Sequence, residues 1–180
     1  KHPSYYAEDA NTSMPSAFCD PRLQEILMRQ LQPDTLIKNP LGRPVVSSVV
    51  IACSADELWA VVGRFEGFDA FIPALARISM TGSGVGSLRK KWFHDGNIVV
   101  EQLNSHDART MHMTWTTIYN TLGVARLWAA MAVESLEGQQ ARATWTIIAE
   151  PVDTRDKKGF EQFIQDFADS ALDNVRRLLG

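Results

Sequence analysis

Glu101 is the residue of this 180-residue chain whose type and setting point most directly to chemistry. It lies in Val99-Val100-Glu101-Gln102-Leu103, where a strand puts its carboxylate on the same face as Val99 and Leu103. An unpaired buried carboxylate is costly, so this position demands a cation, hydrogen-bond donors or water. The run Arg89-Lys90-Lys91 supplies cations from across an Asp95-Gly96 hairpin turn. A two-residue turn with both central positions at positive φ opposes Lys90 to Glu101. A bulge of one residue brings Lys91 or Arg89 to that face instead. Glu101 is therefore the candidate acid/base, with its pKa open: burial raises it and a neighbouring lysine lowers it.

Other reactive residue types offer less. His94 and His112 fall inside the expected sheet and point outward if Glu101 points inward, while His2 and His106 sit in an arm and a turn. No His or Cys spacing fits a metal site, no serine stands in a nucleophile elbow, and no cofactor motif occurs. Cys19 and Cys53 are too few for a disulfide framework and read as two reduced thiols or one bridge. Met111, Met113 and Trp115 share one strand face, as do Leu127, Ala129 and Met131 on the next. Such a lining suits an adaptable apolar cavity or an ordinary core. Lys91, Phe93 and Val99 join this set from the hairpin, and Phe163 and Phe167 from the last helix. Tyr119, Arg126 and Asn174 are placed to orient a ligand's oxygen or to satisfy loop backbone.

The elements that must hold these residues follow from periodicity. Residues 1–44 form a polar arm and a short helix opened by Asp20-Pro21, carrying Leu23, Ile26, Leu27 and Leu31 and closed by Pro33. Val45 to Ala52 is a β-branched strand. Ser54-Ala55-Asp56-Glu57 is a capping box opening a helix that ends near Gly63, and a second short helix runs from Phe65 to Phe71. Alternation and turn signals then predict strands over 75–81, 87–94, 98–105, 110–119, 126–135 and 140–149. The last element, Thr154 to Leu179, is one helix of about 39 Å, capped by Asp153 or Thr154. Its apolar stripe runs through Phe160, Phe163, Phe167, Ala171, Asn174 and Leu178. The pattern is α+β: a seven-stranded antiparallel sheet that buries one face under a long C-terminal helix.

Composition narrows the partners. With 45% hydrophobic residues the chain holds a substantial core, and a net charge of −3 argues against a nucleic-acid or anionic-membrane surface. Arg89-Lys90-Lys91 alternates faces on a strand and forms no single patch. No apolar run reaches the roughly 20 residues of a membrane span. Without a signal-peptide pattern the cytoplasm is favoured, export being the alternative if a leader precedes Lys1.

The order strand, two short helices, six-stranded meander and long terminal helix resembles the helix-grip fold of the START-like superfamily. That superfamily includes the polyketide cyclase/dehydrase and lipid-transport proteins. The motifs that carry the resemblance are Ala55-Asp56-Glu57-Leu58-Trp59, Phe71-Ile72-Pro73, Val85-Gly86-Ser87-Leu88-Arg89, Asp95-Gly96 followed by Glu101-x-Leu103 and Asp107, and Thr144-Trp145 leading to Glu150-Pro151. It covers residues 45–180 and implies a hydrophobic ligand cavity between sheet and helix. Three positions depart from the pattern. Phe71 replaces the commoner aromatic, Gly123 stands where many relatives have proline, and Asp69 lies near the lysine that hormone-receptor relatives use as a carboxylate clamp. The Asp95-Gly96 turn is also too short for their gate loop, so a receptor of that type is not expected.

The expectation is a protein that binds or carries a small hydrophobic ligand, such as a polyketide, sterol or lipid-like compound. The alternative is a cyclase, dehydratase or lyase with Glu101 as acid/base and Tyr119 or Arg126 steadying an enolate. A third reading gives the N-terminal helix a protein partner or a second copy of the chain.

Overall fold

The computed structural model describes residues 40–180. The helix expected after Asp20 and the pairing of Cys19 lie outside the described residues. Strand β1, Val45–Ile51, leads into helix α1, Ala55–Val62, and the meander follows: β2 (Leu75–Thr81), β3 (Leu88–Phe93), β4 (Ile98–Asp107), β5 (His112–Asn120), β6 (Val124–Leu136) and β7 (Gln140–Pro151). Helix α2, Lys157–Leu179, follows β7. All neighbours pair antiparallel in the order β1-β7-β6-β5-β4-β3-β2, so the last meander strand returns beside the first.

The capping box forms as its residues predict. Glu57 N donates to Ser54 Oγ at 3.2 Å, and Ser54 N donates to Glu57 Oε2 at 2.8 Å. Ser54→Ala is expected to lower the unfolding free energy by about 1 kcal/mol, read by urea titration, because the cap's amide partners are lost. The helix expected over Phe65 to Phe71 is instead a single 3-10 turn, Phe68–Ala70. Pro73 disfavours helical geometry just before it, which leaves too few residues to continue a helix.

The terminal helix also departs from expectation. It starts at Lys157 with Asp156 as its cap, Asp156 Oδ1 accepting from Gly159 N at 2.9 Å. Asp153 is occupied with Arg155, whose N and Nε it accepts at 3.0 and 2.9 Å. The helix is thus about 34 Å long. Its buried stripe is Ile164, Ala168, Ala171, Leu172 and Val175, rotated from the expected one, and leaves Phe163 and Leu178 more than half exposed. A small-residue stripe wins because Ala168 and Ala171 let α2 lie close against β1 and β7. Ser47 Oγ on β1 donates to Asp169 Oδ1 at 2.5 Å, tying helix to edge strand.

The core lies between the concave sheet face and the two helices. Phe68 is its centre, with ring centroids 4.9 Å from Phe71, 5.5 Å from Trp115 and 5.7 Å from Trp145. The edge-on approach of Phe68 to both tryptophans is the favourable geometry for aromatic quadrupoles.

Candidate functional site

The β3–β4 hairpin is built differently from a two-residue turn. Gly96 N donates to Phe93 O at 3.1 Å and Phe93 N to Asn97 O at 2.9 Å, closing a three-residue loop of His94, Asp95 and Gly96. Only Gly96 has positive φ, at 88°, while Asp95 keeps negative φ and accepts from Asn97 N at 2.9 Å. This is a type I turn with a left-handed glycine, in place of the paired positive-φ turn. The extra residue shifts the register by one, so Arg89 rather than Lys90 lies opposite Glu101. Lys90 goes to the outer face, its Nζ 4.7 Å from the Trp92 ring centroid.

Arg89, Lys91 and Glu101 form a buried cluster, with residue exposures of 0%, 5% and 3%. Arg89 Nε and Nη2 donate to Glu101 Oε2 at 2.8 and 2.6 Å, and Nη1 donates to the Phe65 carbonyl. Lys91 Nζ donates to Glu101 Oε1 at 3.0 Å. The Arg89 guanidinium lies 3.9 Å from the Phe65 ring centroid and 4.1 Å from that of Phe68, so aromatic faces complete its environment. Burial pushes the Glu101 carboxyl up, but the adjacent guanidinium and ammonium pull it further down, and it is held ionised. Burial dominates at Lys91 and lowers its ammonium to about 8, against the pull of Glu101.

Beside this cluster, between sheet and α2, is a cavity of about 230 Å³. The structure brings to it Lys91, Phe93, Val99, Glu101 and Trp115 of the expected set, and with them Leu127, Ala129, Phe163 and Phe167. Phe163, 54% exposed, stands at its mouth.

Five expected lining residues are elsewhere. Tyr119 is 57% exposed because β5 carries an extra residue, Ile118, between the pairs Glu101–Thr117 and Val100–Tyr119. That bulge reverses the alternation, turning Tyr119 out and Asn120 in. Met113 and Met131 are buried in the solid core further along the same faces, and Met111 sits in the turn before β5 with φ 50°. Asn174 donates to the Phe71 carbonyl at 3.1 Å, beside a separate surface hollow. Arg126 is exposed and 3.8 Å from Glu150, so neither it nor Tyr119 faces Glu101. His94 and His112 are exposed as expected.

The cavity also contains residues outside the expected set. Asn120 and Val124 enter through bulges at Ile118 and Ala125, which leave no mark in hydropathy. Thr117 continues the inward series Met113, Trp115 and was legible from it. Trp145 and Ile147 come from β7, whose alternation of Ala141, Ala143, Trp145 and Ile147 marks the same face. Among the described residues, no group of three or more His, Cys, Asp or Glu side chains could hold a metal ion, and no helix is long and apolar enough to cross a membrane.

A curved antiparallel sheet closed around one long helix, with a cavity between them, defines a helix-grip protein of the START-like class. Within that class the chain belongs to the polyketide cyclase/dehydrase and lipid transport family, whose sequence model matches residues 43–180. Solved structures share the fold. An uncharacterized protein from Bacillus thuringiensis is 17% identical with a TM-score of 0.68, covering 76% of this chain and 98% of its own. An aromatase/cyclase, Zhui, from a Streptomyces species is 14% identical with a TM-score of 0.67, covering 76% and 93%. The di-domain ARO/CYC BexL is 14% identical with a TM-score of 0.65, covering 75% of this chain and 45% of its own. No curated protein matched the chain in sequence.

Proposed function

We propose that this protein binds a small, largely hydrophobic molecule in the cavity between the sheet and α2. The observation that carries this reading is the distribution of polarity. Aromatic and aliphatic side chains from β3 to β7 and α2 form most of the wall, and the charged groups are gathered on the hairpin side. Apolar walls supply affinity by burial, and a few fixed polar groups supply orientation.

Native mass spectrometry of freshly purified protein is expected to find a retained hydrophobic compound. A lipid and polyketide panel is expected to include compounds that raise Tm by roughly 5–10 °C at a hundredfold excess over Kd. An empty protein with no thermal shift across the panel ends this reading.

The second reading is a cyclase, dehydratase or lyase with Glu101 as acid/base, the first of these being an activity named for Zhui, which shares the fold. The observation in its favour is that Glu101 and Lys91 both reach the cavity wall. A carboxylate engaged by two cations is a weak base and holds no proton to donate, so within this cluster Lys91 is the group with a proton to move near neutral pH. On a polyketide-like substrate, Glu101→Gln and Lys91→Met separate the two. Unchanged turnover in both variants removes the cluster from the chemistry.

A further inference from the structure

Counting hydrogen-bond capacity around the cavity leaves an excess of donors. Both Glu101 oxygens are engaged by Arg89 and Lys91. The Asn120 amide is closed on its own turn: Nδ2 donates to Val124 O at 2.7 Å, and Oδ1 accepts from the Leu122 and Val124 amides at 3.0 and 3.1 Å. At the rim, Asp95 accepts from Asn97 N and Nδ2, each at 2.9 Å. What remains is Lys91, Thr117 and Trp145. Among the described residues the Lys91 ammonium has one hydrogen-bond partner, Glu101, so protons of its three are left over. Among the described residues, Thr117 Oγ1 and Trp145 Nε1 are the buried side-chain polar atoms without any partner. All three residues line this cavity.

The charge count points the same way. Two buried cations, Arg89 and Lys91, face one buried carboxylate, Glu101. Glu66 acts on Arg89 from the solvent side, where it also pairs with Arg64 at 3.5 Å. An uncompensated buried charge is expensive, and so is a buried indole N–H with nothing to donate to. A ligand that brings acceptors and a negative charge relieves both costs together.

We propose that the ligand is an apolar organic acid. Its anionic oxygens are received by the Lys91 ammonium and the Thr117 hydroxyl, and Trp145 Nε1 donates to an oxygen elsewhere on the molecule. This rests on the ligand-binding reading above and adds the chemical class. Thr117 lies directly opposite Glu101 across β4 and β5, and Lys91 bonds Glu101 from β3, so the two donors come from the strands on either side of Glu101 and line the same cavity. Trp145, two strands further round on β7, addresses a different part of the ligand.

The test uses three probes of one shape. A cavity of about 230 Å³ exceeds the roughly 150 Å³ that holds benzene, which makes bicyclic aromatics suitable. Titrations of 1-naphthoate, methyl 1-naphthoate and naphthalene at pH 7 are followed by calorimetry. The acid is expected to bind roughly tenfold or more tighter than its neutral ester, the value of a charge-assisted hydrogen bond. Lys91→Met is expected to abolish that preference while ester binding persists. Trp145→Phe is expected to weaken acid and ester by a similar factor of roughly three to ten. Equal affinity for acid and ester in the wild type overturns the proposal and leaves the binding reading intact. Failure of all three probes to bind overturns the proposal, while the binding reading stands or falls on the lipid and polyketide panel.

Discussion

Glu101→Gln is expected to lower the unfolding free energy by about 3–5 kcal/mol, the cost of removing one partner from a buried ion pair. The amide keeps the shape of the carboxyl group but turns one acceptor into a donor facing cations. Arg89 donates twice to Oε2 and Lys91 once to Oε1, so either orientation of the amide leaves a buried cation confronting N–H groups. The acid limb provides a check. Because the folded pKa of Glu101 is depressed, its stabilisation is fully present above the unfolded value near 4.5 and is lost as pH falls through the lower folded value. The gap between wild type and Glu101→Gln, measured by urea unfolding, therefore narrows in acid as Glu101 is protonated, and narrows again as pH rises toward 8, because without Glu101 the buried Lys91 sheds its proton more readily. A gap under about 1 kcal/mol at pH 7 would show that the cluster is hydrated and screened.

Lys91 carries the second large effect, with the opposite sign on the alkaline side. Its folded pKa is lowered from 10.5 to about 8, chiefly by burial. Below pH 8 the folded state holds an ammonium it disfavours. Between about 8 and 10.5 the unfolded chain binds more protons than the folded one, so stability rises with pH. Across that window wild type is expected to gain on the order of 3 kcal/mol relative to Lys91→Met. The comparison cancels Cys53 and the other alkaline groups, which both proteins share. Parallel stability–pH curves for the two would mean that Lys91 is not desolvated. At pH 7, Lys91→Met is expected to be better tolerated than Glu101→Gln, because it leaves the Arg89–Glu101 pair neutral as a unit.

The two expectations describe one device. Glu101 stabilises the fold by neutralising Arg89 beside the aromatic core, whereas Lys91 is a cation the fold tolerates at a cavity wall. A residue that costs stability while facing a cavity belongs with binding rather than with packing, which is how the cluster joins structure to the proposed function.

Much of this was legible in the order of residues. The capping box at Ser54, the alternation along β1 and β7 and the turn glycines act through local geometry, and local geometry is carried by neighbouring residue types. They determined the element order and, with it, the helix-grip arrangement. The burial of Glu101 was equally legible, since Val99 and Leu103 flank it at period two. Only the tertiary structure decided which cation meets it and which side chains reach the cavity. A single extra residue at the Asp95 loop selected Arg89 over Lys90, and a single bulge at Ile118 exchanged Tyr119 for Asn120. Strand periodicity has a phase as well as a period. The phase is reset wherever one strand gains a residue on its neighbour, and that event depends on pairing across the sheet rather than on the strand's own residues.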